Sequence, residues 1–150
     1  MLKKIQDPEL YYLQVGFEHP EKKDRKEAEV LGISGQIRWC GPQENVRNYL
    51  WAADSYFMPS IFEGFGISAV EALACGLPCY LADVPGLKDL TRLGTQAFWV
   101  APQANSLAQN YKERKNKPWS EGENNSKLVR EFFSANKGAE AYFRNWEKSG

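Results

Sequence analysis

At 150 residues the chain is long enough for one domain with a sizeable core and too short for two. Its 19 basic and 19 acidic side chains cancel, so no bulk charge draws it to nucleic acid or to a membrane, and an anionic ligand has to be held locally. No signal peptide and no apolar run of membrane-spanning length is visible, and 3 cysteines cannot all pair within one chain, so the expected compartment is the cytoplasm.

Taken in order, residues 1–5 are too few for a helix stable by itself, and Asp7-Pro8 reads as a turn into a mostly apolar strand over residues 10–16. Residues 20–31 form a charged helix with Ala28 and Leu31 on a sparse apolar face and Gly32 closing it. His19, between Glu18 and Pro20, reads as part of a surface turn. A strand is expected over residues 36–40. Gly41-Pro42 then opens a helix with Val46, Tyr49, Leu50 and Ala53 as its apolar stripe. Further strands are expected over residues 54–58, 78–82 and 97–100, and helices over residues 67–75, 86–93 and 106–115. Lys117-Pro118-Trp119-Ser120 breaks into a linker, followed by C-terminal helices with stripes Leu128, Val129, Phe132, Phe133 and Ala139, Tyr142, Phe143, Trp146. Strands alternate with helices throughout, the pattern of an α/β fold with a parallel sheet and helices on both faces.

The stretch with the most chemistry is YFMPSIFEGFGISAVEALACGLPCYLADVPGLKD, residues 56–89. Pro59 ends a strand because it has no N–H for a ladder. Gly64 and Gly66 flank Phe65 immediately before the helical run Ile67 to Cys75, which closes on Gly76 with Pro78 beyond it. Glycines at a helix N-terminus admit a ligand close to unpaired amides and the positive end of the helix dipole, a place for a phosphate. Glu71 has Ile67, Ser68, Ala74 and Cys75 as its helical neighbours, and no cation. In a tightly packed helix such a carboxylate needs hydrogen-bond donors, and sugar hydroxyls are such donors. Glu63 precedes the glycines, so strand end, loop and helix bring both carboxylates to one crevice at the carboxyl edge of a parallel sheet. Valine at Gly64 or at Gly66 is expected to block that approach without unfolding the chain.

Glu63 and Glu71 with Ala72-Leu73-Ala74-Cys75-Gly76-Leu77-Pro78 resemble the E-x7-E signature of retaining GT-B glycosyltransferases, especially the group often called family 4. Asp54, Pro59-Ser60 and the Glu-Gly-Phe-Gly core share in the likeness, as does Gly86. Asp89, three positions after Gly86, stands where the family usually has glutamate. The resemblance implies a Rossmann-like donor-binding C-terminal half, with Glu63 facing the donor sugar as the catalytic carboxylate and Glu71 holding the ribose. Gly64, Phe65, Gly66, Ile67 and Ser68 would lie along the diphosphate and ribose. The end of the second strand, Arg38, Trp39 and Cys40, would frame the nucleobase.

The resemblance implies a place in cell-surface polysaccharide or glycolipid synthesis. The donor it implies is a nucleotide-sugar, and the absence of Asp-x-Asp from this chain disfavours the metal-dependent design, so no metal and no cofactor is expected. Family members carry an acceptor-binding domain before this point, then a strand ending in Gly-Arg with a lysine a few residues on, none of which is in this sequence. That strand is the central one of the sheet, so either its neighbours close over the gap or something else fills it. The expected activity is therefore sugar transfer with retention once the chain is joined to an acceptor domain, and inactivity alone; the rival is a non-catalytic nucleotide-sugar-binding or regulatory module. The basic run Lys112, Arg114, Lys115 and Lys117 reads as a solvated helix face, or as the peripheral membrane contact of a full enzyme. Cys75 and Cys79 fit no zinc or redox spacing and read as small core residues.

Overall fold

The computed structural model describes residues 1–18 and 20–134. His19 and the expected last helix over residues 139–146 lie outside the described residues. Among the described residues five strands form, β1 (Tyr12–Val15), β2 (Ile37–Gly41), β3 (Tyr56–Met58), β4 (Cys79–Ala82) and β5 (Phe98–Val100). Between and around them run α1 (Leu2–Ile5), α2 (Lys23–Leu31), α3 (Val46–Trp51), α4 (Ile67–Ala74), α5 (Pro85–Lys88), α6 (Ala104–Arg114) and α7 (Gly122–Phe132). Short 3-10 turns at Ser34–Gln36 and Asp89–Leu93 complete the path.

All strand pairs are parallel, as alternation with helices requires, but they fall into two sheets, β1-β2 and β3-β4-β5. The break lies where the sequence lacks its expected central strand, and the neighbours do not close over it. Between them is a cavity of about 740 Å³ whose walls include Tyr12, Leu13, Gln14 and Val15 of β1 and Tyr56 and Phe57 of β3.

The core sits under the three-stranded sheet. β4 is buried along its whole length, which is why Cys79, Tyr80, Leu81 and Ala82 read as a continuous apolar run and not as an alternating one. Ala69, Ala72 and Leu73 of α4 pack on it with Leu87, Leu90 and Val129. Cys79 belongs to this core, and burial pushes its thiol up, as it does to a lesser degree that of Cys75.

Several boundaries differ from expectation for local reasons. Residues 2–5 do form a turn of helix, held by tertiary packing: Leu2 and Ile5 are buried, α1 lies against α6, and the Lys112 ammonium donates to the Lys4 carbonyl at 2.8 Å. The charged helix begins at Lys23 and not at residue 20, because Lys22 takes the left-handed conformation as its N-cap. Gly41-Pro42 does not open α3. Gly41 sits at φ 65° and ends β2, and the helix starts only after Asn45.

α7 anchors the far end of α4. The α4 helix closes in a Schellman arrangement, Gly76 N–H donating to Leu73 at 3.0 Å and Leu77 N–H to Ala72 at 3.2 Å. Onto that end fold the Trp119 indole, which donates to the Gly76 carbonyl at 3.1 Å, and the Ser126 hydroxyl, which donates to the Ala74 carbonyl at 2.7 Å. Asn125, fully buried on α7, both accepts from Gln96 N–H and donates to the Gln96 carbonyl, each at 2.8 Å. Ser126→Ala is expected to cost about 1 kcal/mol, one intramolecular hydrogen bond, and to lower the melting temperature by about 2 to 4 °C. Scanning calorimetry showing no shift would remove this bond from the list of what seats α7.

Candidate functional site

Of the residues singled out in the sequence, those from Glu63 to Glu71 follow the end of β3. β3 stops at Met58, the loop of residues 59–66 crosses over the end of the sheet, and α4 leaves from Gly66. Gly66 is the N-cap of α4 at φ 76°, ψ 56°, a left-handed conformation that costs other residues energy. Ala69 and Val70 N–H donate to its carbonyl at 2.9 and 3.1 Å. Among the described residues the amides of Ile67 and Ser68 have no acceptor, as expected in a first helical turn.

Glu63 turns back on its own loop. Its carboxylate accepts from Gly64 N–H at 3.1 Å and from the Ser60 hydroxyl at 3.5 Å. It therefore sits beside the glycines, as the sequence required. Glu71 departs from expectation. It is exposed, not buried in a tightly packed helix, because only one side of α4 packs and Glu71 lies on the other. It still has no ion-pair partner among the described residues, and with Ser68 it lines the cavity between the half-sheets.

Ser68 is held from the sheet. The Tyr56 hydroxyl donates to its Oγ at 2.8 Å. Burial pushes the Tyr56 phenol up to about 12, so it stays protonated and keeps donating across the neutral range. This pair lies 12 residues apart with no motif to announce it. Ile67 is 71% exposed at the helix start. Phe65 points elsewhere than a free ligand contact, its ring edge-to-face with Phe133 at 6.0 Å beyond the end of α7.

The two glycines are not equivalent. A Cβ on Gly66 would collide with Leu87 Cδ2 and lie 3.5 Å from Met58 Sδ, whereas a Cβ on Gly64 meets nothing within 4 Å. The expectation that valine is tolerated at either position is thus corrected: Gly66→Val strains the backbone and the core together, and only Gly64→Val probes the ligand. Gly64→Val should keep the wild-type melting temperature and weaken binding of a nucleoside diphosphate about tenfold or more, by crowding the approach to the free amides at the start of α4. Isothermal titration with unchanged affinity would move the phosphate elsewhere.

Gly86 contributes what the sequence alone did not reveal. At the start of α5, a Cβ there would run into the Glu63 and Gly64 carbonyl oxygens and lie 2.8 Å from the Glu63 carbonyl carbon. Its missing side chain is what lets the Glu63 loop lie down on α5. Asp89 is removed from this contact and pairs with Arg92 at 3.3 Å.

Trp39 and Cys40 stand in the other sheet, with no contact to the Glu63 loop among those described. The Arg25 guanidinium lies 4.6 Å over the Trp39 ring while binding the Glu18 carboxylate through two nitrogens at 2.6 and 2.5 Å. The Cys40 carbonyl accepts from the Gln43 amide at 2.6 Å. At the ends of their strands Gly16 N–H donates to the Gly41 carbonyl at 2.9 Å, both glycines at positive φ. The basic run is largely engaged within the fold. Lys115 binds Asp7 at 2.6 Å, Lys112 holds Lys4, and the Arg114 guanidinium lies 4.5 Å over Phe98. Among the described residues no helix is long and apolar enough to cross a membrane.

Comparison with known proteins gives the site its context. The family model described as glycosyl transferases group 1 matches residues 1–129. Sucrose synthase of Solanum tuberosum is 34% identical over 88 residues, which is 54% of this chain and 11% of that protein. D-inositol 3-phosphate glycosyltransferase of Rhodococcus erythropolis is 42% identical over 75 residues, 49% of this chain and 17% of that protein. Among solved structures, sucrose-phosphate synthase from Thermosynechococcus elongatus superposes with a TM-score of 0.78 at 26% identity, over 99% of this chain and 41% of that one. Anabaena HepE, solved with UDP-glucose, superposes at 0.82 with 20% identity, over 97% of this chain and 43% of that one, a likeness of fold. The chain thus spans less than half the length of each of these four proteins.

Proposed function

This chain belongs to the glycosyl transferases group 1 family, and from that premise we propose that it is the donor-binding half of a retaining enzyme that takes a sugar from a nucleotide-sugar. The observation that carries the reading is the mounting of Glu63 and Glu71 on either side of a left-handed glycine cap, Gly66, at the carboxyl end of β3. The unpaired amides at the start of α4 take the diphosphate, Glu71 accepts hydrogen bonds from the ribose, and Glu63 faces the sugar. Ser68, fixed by Tyr56, precedes Glu71 on α4. The fold shared with Anabaena HepE, which binds UDP-glucose, supports a nucleotide-sugar as ligand. Charge developing on the leaving diphosphate is met by preorganised helix amides, and no metal is assigned a part.

Glu71→Ala is the test. It should weaken binding of an intact nucleoside diphosphate about tenfold to a hundredfold, the loss of one hydrogen bond to a charged group at roughly 1.5 to 3 kcal/mol. Inorganic diphosphate, which has no ribose, should bind as before. Equal losses for both ligands in titration calorimetry would refute the ribose assignment and with it this orientation of the donor.

A further inference from the structure

A second cavity, of about 280 Å³, opens at the other end of the three-stranded sheet. Its walls come from Asp54 just ahead of β3, Tyr80 near the start of β4, Phe98 at the start of β5, and the chain from the end of α6 to Glu121. These are the amino ends of the strands, whereas the Glu63 loop follows the carboxyl end of β3. A ligand here is therefore separated from that loop by the length of the strands. Tyr80, Phe98, Arg114, Lys117 and Trp119 line this cavity, and none of them lines the space between the two sheets.

The floor is aromatic. The Tyr80 and Phe98 rings lie side by side on neighbouring strands with centroids 4.8 Å apart, and Trp119 meets Phe98 edge to face at 5.0 Å. Hydrogen-bond donors converge above it. Tyr80 is 2% exposed, and neither its hydroxyl nor that of Tyr111 has a hydrogen-bond partner among the described residues. No fully buried side-chain oxygen or nitrogen among them lacks a partner, so the little of Tyr80 that is exposed includes its hydroxyl, at the cavity wall. A nearly buried polar group normally has a partner, and this one points to a ligand. Burial pushes the Tyr80 phenol up to about 12, Tyr111 adding to the shift and Arg114 opposing it, so it stays protonated and able to donate at neutral pH. The Arg114 guanidinium lays its face on Phe98, which leaves its N–H groups without an acceptor among the described residues. Lys117 likewise has no ion-pair partner among them.

The walls also select. Two cations without carboxylate partners suit a phosphate monoester, which carries nearly two charges at neutral pH. Asp54 and Glu121 stand in the same walls; they oppose a bare anion and accept from a ligand that brings hydroxyls as well. Aromatic side chains suit the apolar face of a ring. The volume of about 280 Å³ is at the low end for small-molecule sites, which begin at roughly 300 Å³, and suits one ring with its phosphate better than a nucleotide-sugar.

We propose that this cavity is a binding site for a hexose monophosphate, with the phosphate on Arg114, Lys117 and the Tyr80 hydroxyl, the ring against Trp119, and the sugar hydroxyls donating to Asp54 and Glu121. It does not rest on the nucleotide reading, since no residue from Glu63 to Glu71 takes part.

The test titrates glucose 6-phosphate, glucose 1-phosphate and fructose 6-phosphate into the whole chain while NMR follows the Trp119 indole N–H, with glucose and inorganic phosphate as controls. At least one of the three should shift that signal saturably with a Kd below about 1 mM, and both controls should bind about tenfold more weakly or less. Tyr80→Phe should keep the melting temperature, because its hydroxyl holds no other residue, and should weaken binding about tenfold, the loss of one hydrogen bond to a charged group. Arg114→Gln should weaken it about tenfold to a hundredfold. A Trp119 signal that none of the three moves at about ten times that Kd limit would overturn the proposal. Inorganic phosphate binding as tightly as the sugar phosphates would do the same and leave an adventitious ion only. Saturating nucleoside diphosphate should not change the titration; competition between the two would put the sugar phosphate in the donor crevice and refute this site. Glu71→Ala, which tests the nucleotide reading, should leave hexose phosphate binding as it is.

Discussion

Gly86→Ala is expected to abolish nucleotide binding and to lower the melting temperature by about 6 to 12 °C, the shift for roughly 3 kcal/mol in a chain of this size. The added methyl would meet the backbone of Glu63 and Gly64, atoms that cannot swing aside as a side-chain end could. Either α5 or the loop must move. α5 is the better anchored, since Leu87 is fully buried on it and Leu90 follows directly, so the loop is the part that lifts. That carries the Glu63 carboxylate away from the start of α4 and removes the packing beneath Gly66. Gly64→Ala is the matched control for stability alone, because its Cβ has open space. Scanning fluorimetry and calorimetric titration of the two variants give the comparison; a Gly86→Ala protein with wild-type stability and affinity would contradict the close approach.

The chain alone should bind a nucleoside diphosphate with a Kd on the order of 1 mM, near 4 kcal/mol, and transfer no sugar. The groups assigned to the donor are all on this chain, but no role among the described residues is assigned to positioning an acceptor hydroxyl, and orientation can supply roughly 7 to 11 kcal/mol of a barrier. The arginine and lysine implied by the family resemblance are not in the sequence, and each such donor to a leaving diphosphate is worth about a hundredfold or more. Incubating the purified chain with a panel of nucleotide-sugars and simple acceptors, and following both melting temperature and released nucleotide, measures the two halves of the statement. Transfer by this chain alone would overturn the half-enzyme reading. Stabilisation by no nucleotide would remove the binding assignment.

The strands and the glycine-capped helix were legible because their signals are local. The four-residue apolar run of β4 needs only burial on both faces, and the Gly66 cap needs only a glycine before an Ala-rich helix. The exposure of Glu71 was not legible, since an apolar helical run does not say how many of its sides will be covered. The turn α1 was missed for the same kind of reason: its stability comes from α6, more than 90 residues away. Gly86 was visible as part of a motif, but its purpose depends on which backbone segment comes to rest on it. The Tyr56–Ser68 bond depends on the angle at which α4 leaves the sheet, which no spacing encodes.

The seating of α4 by α7 bears on the speed of ligand capture. Two hydrogen bonds, from Trp119 and Ser126, and the packing of Gly122 so close that a Cβ there would collide with the Gly76 carbonyl, fix the far end of a helix only 8 residues long. A helix that short would fray in isolation, and its free amides would spend much of their time out of alignment. Clamped at its tail, it offers them already aimed, so the ordering entropy is settled during folding and not at the encounter. Association with a diphosphate should then follow simple second-order kinetics, without a slow isomerisation behind it.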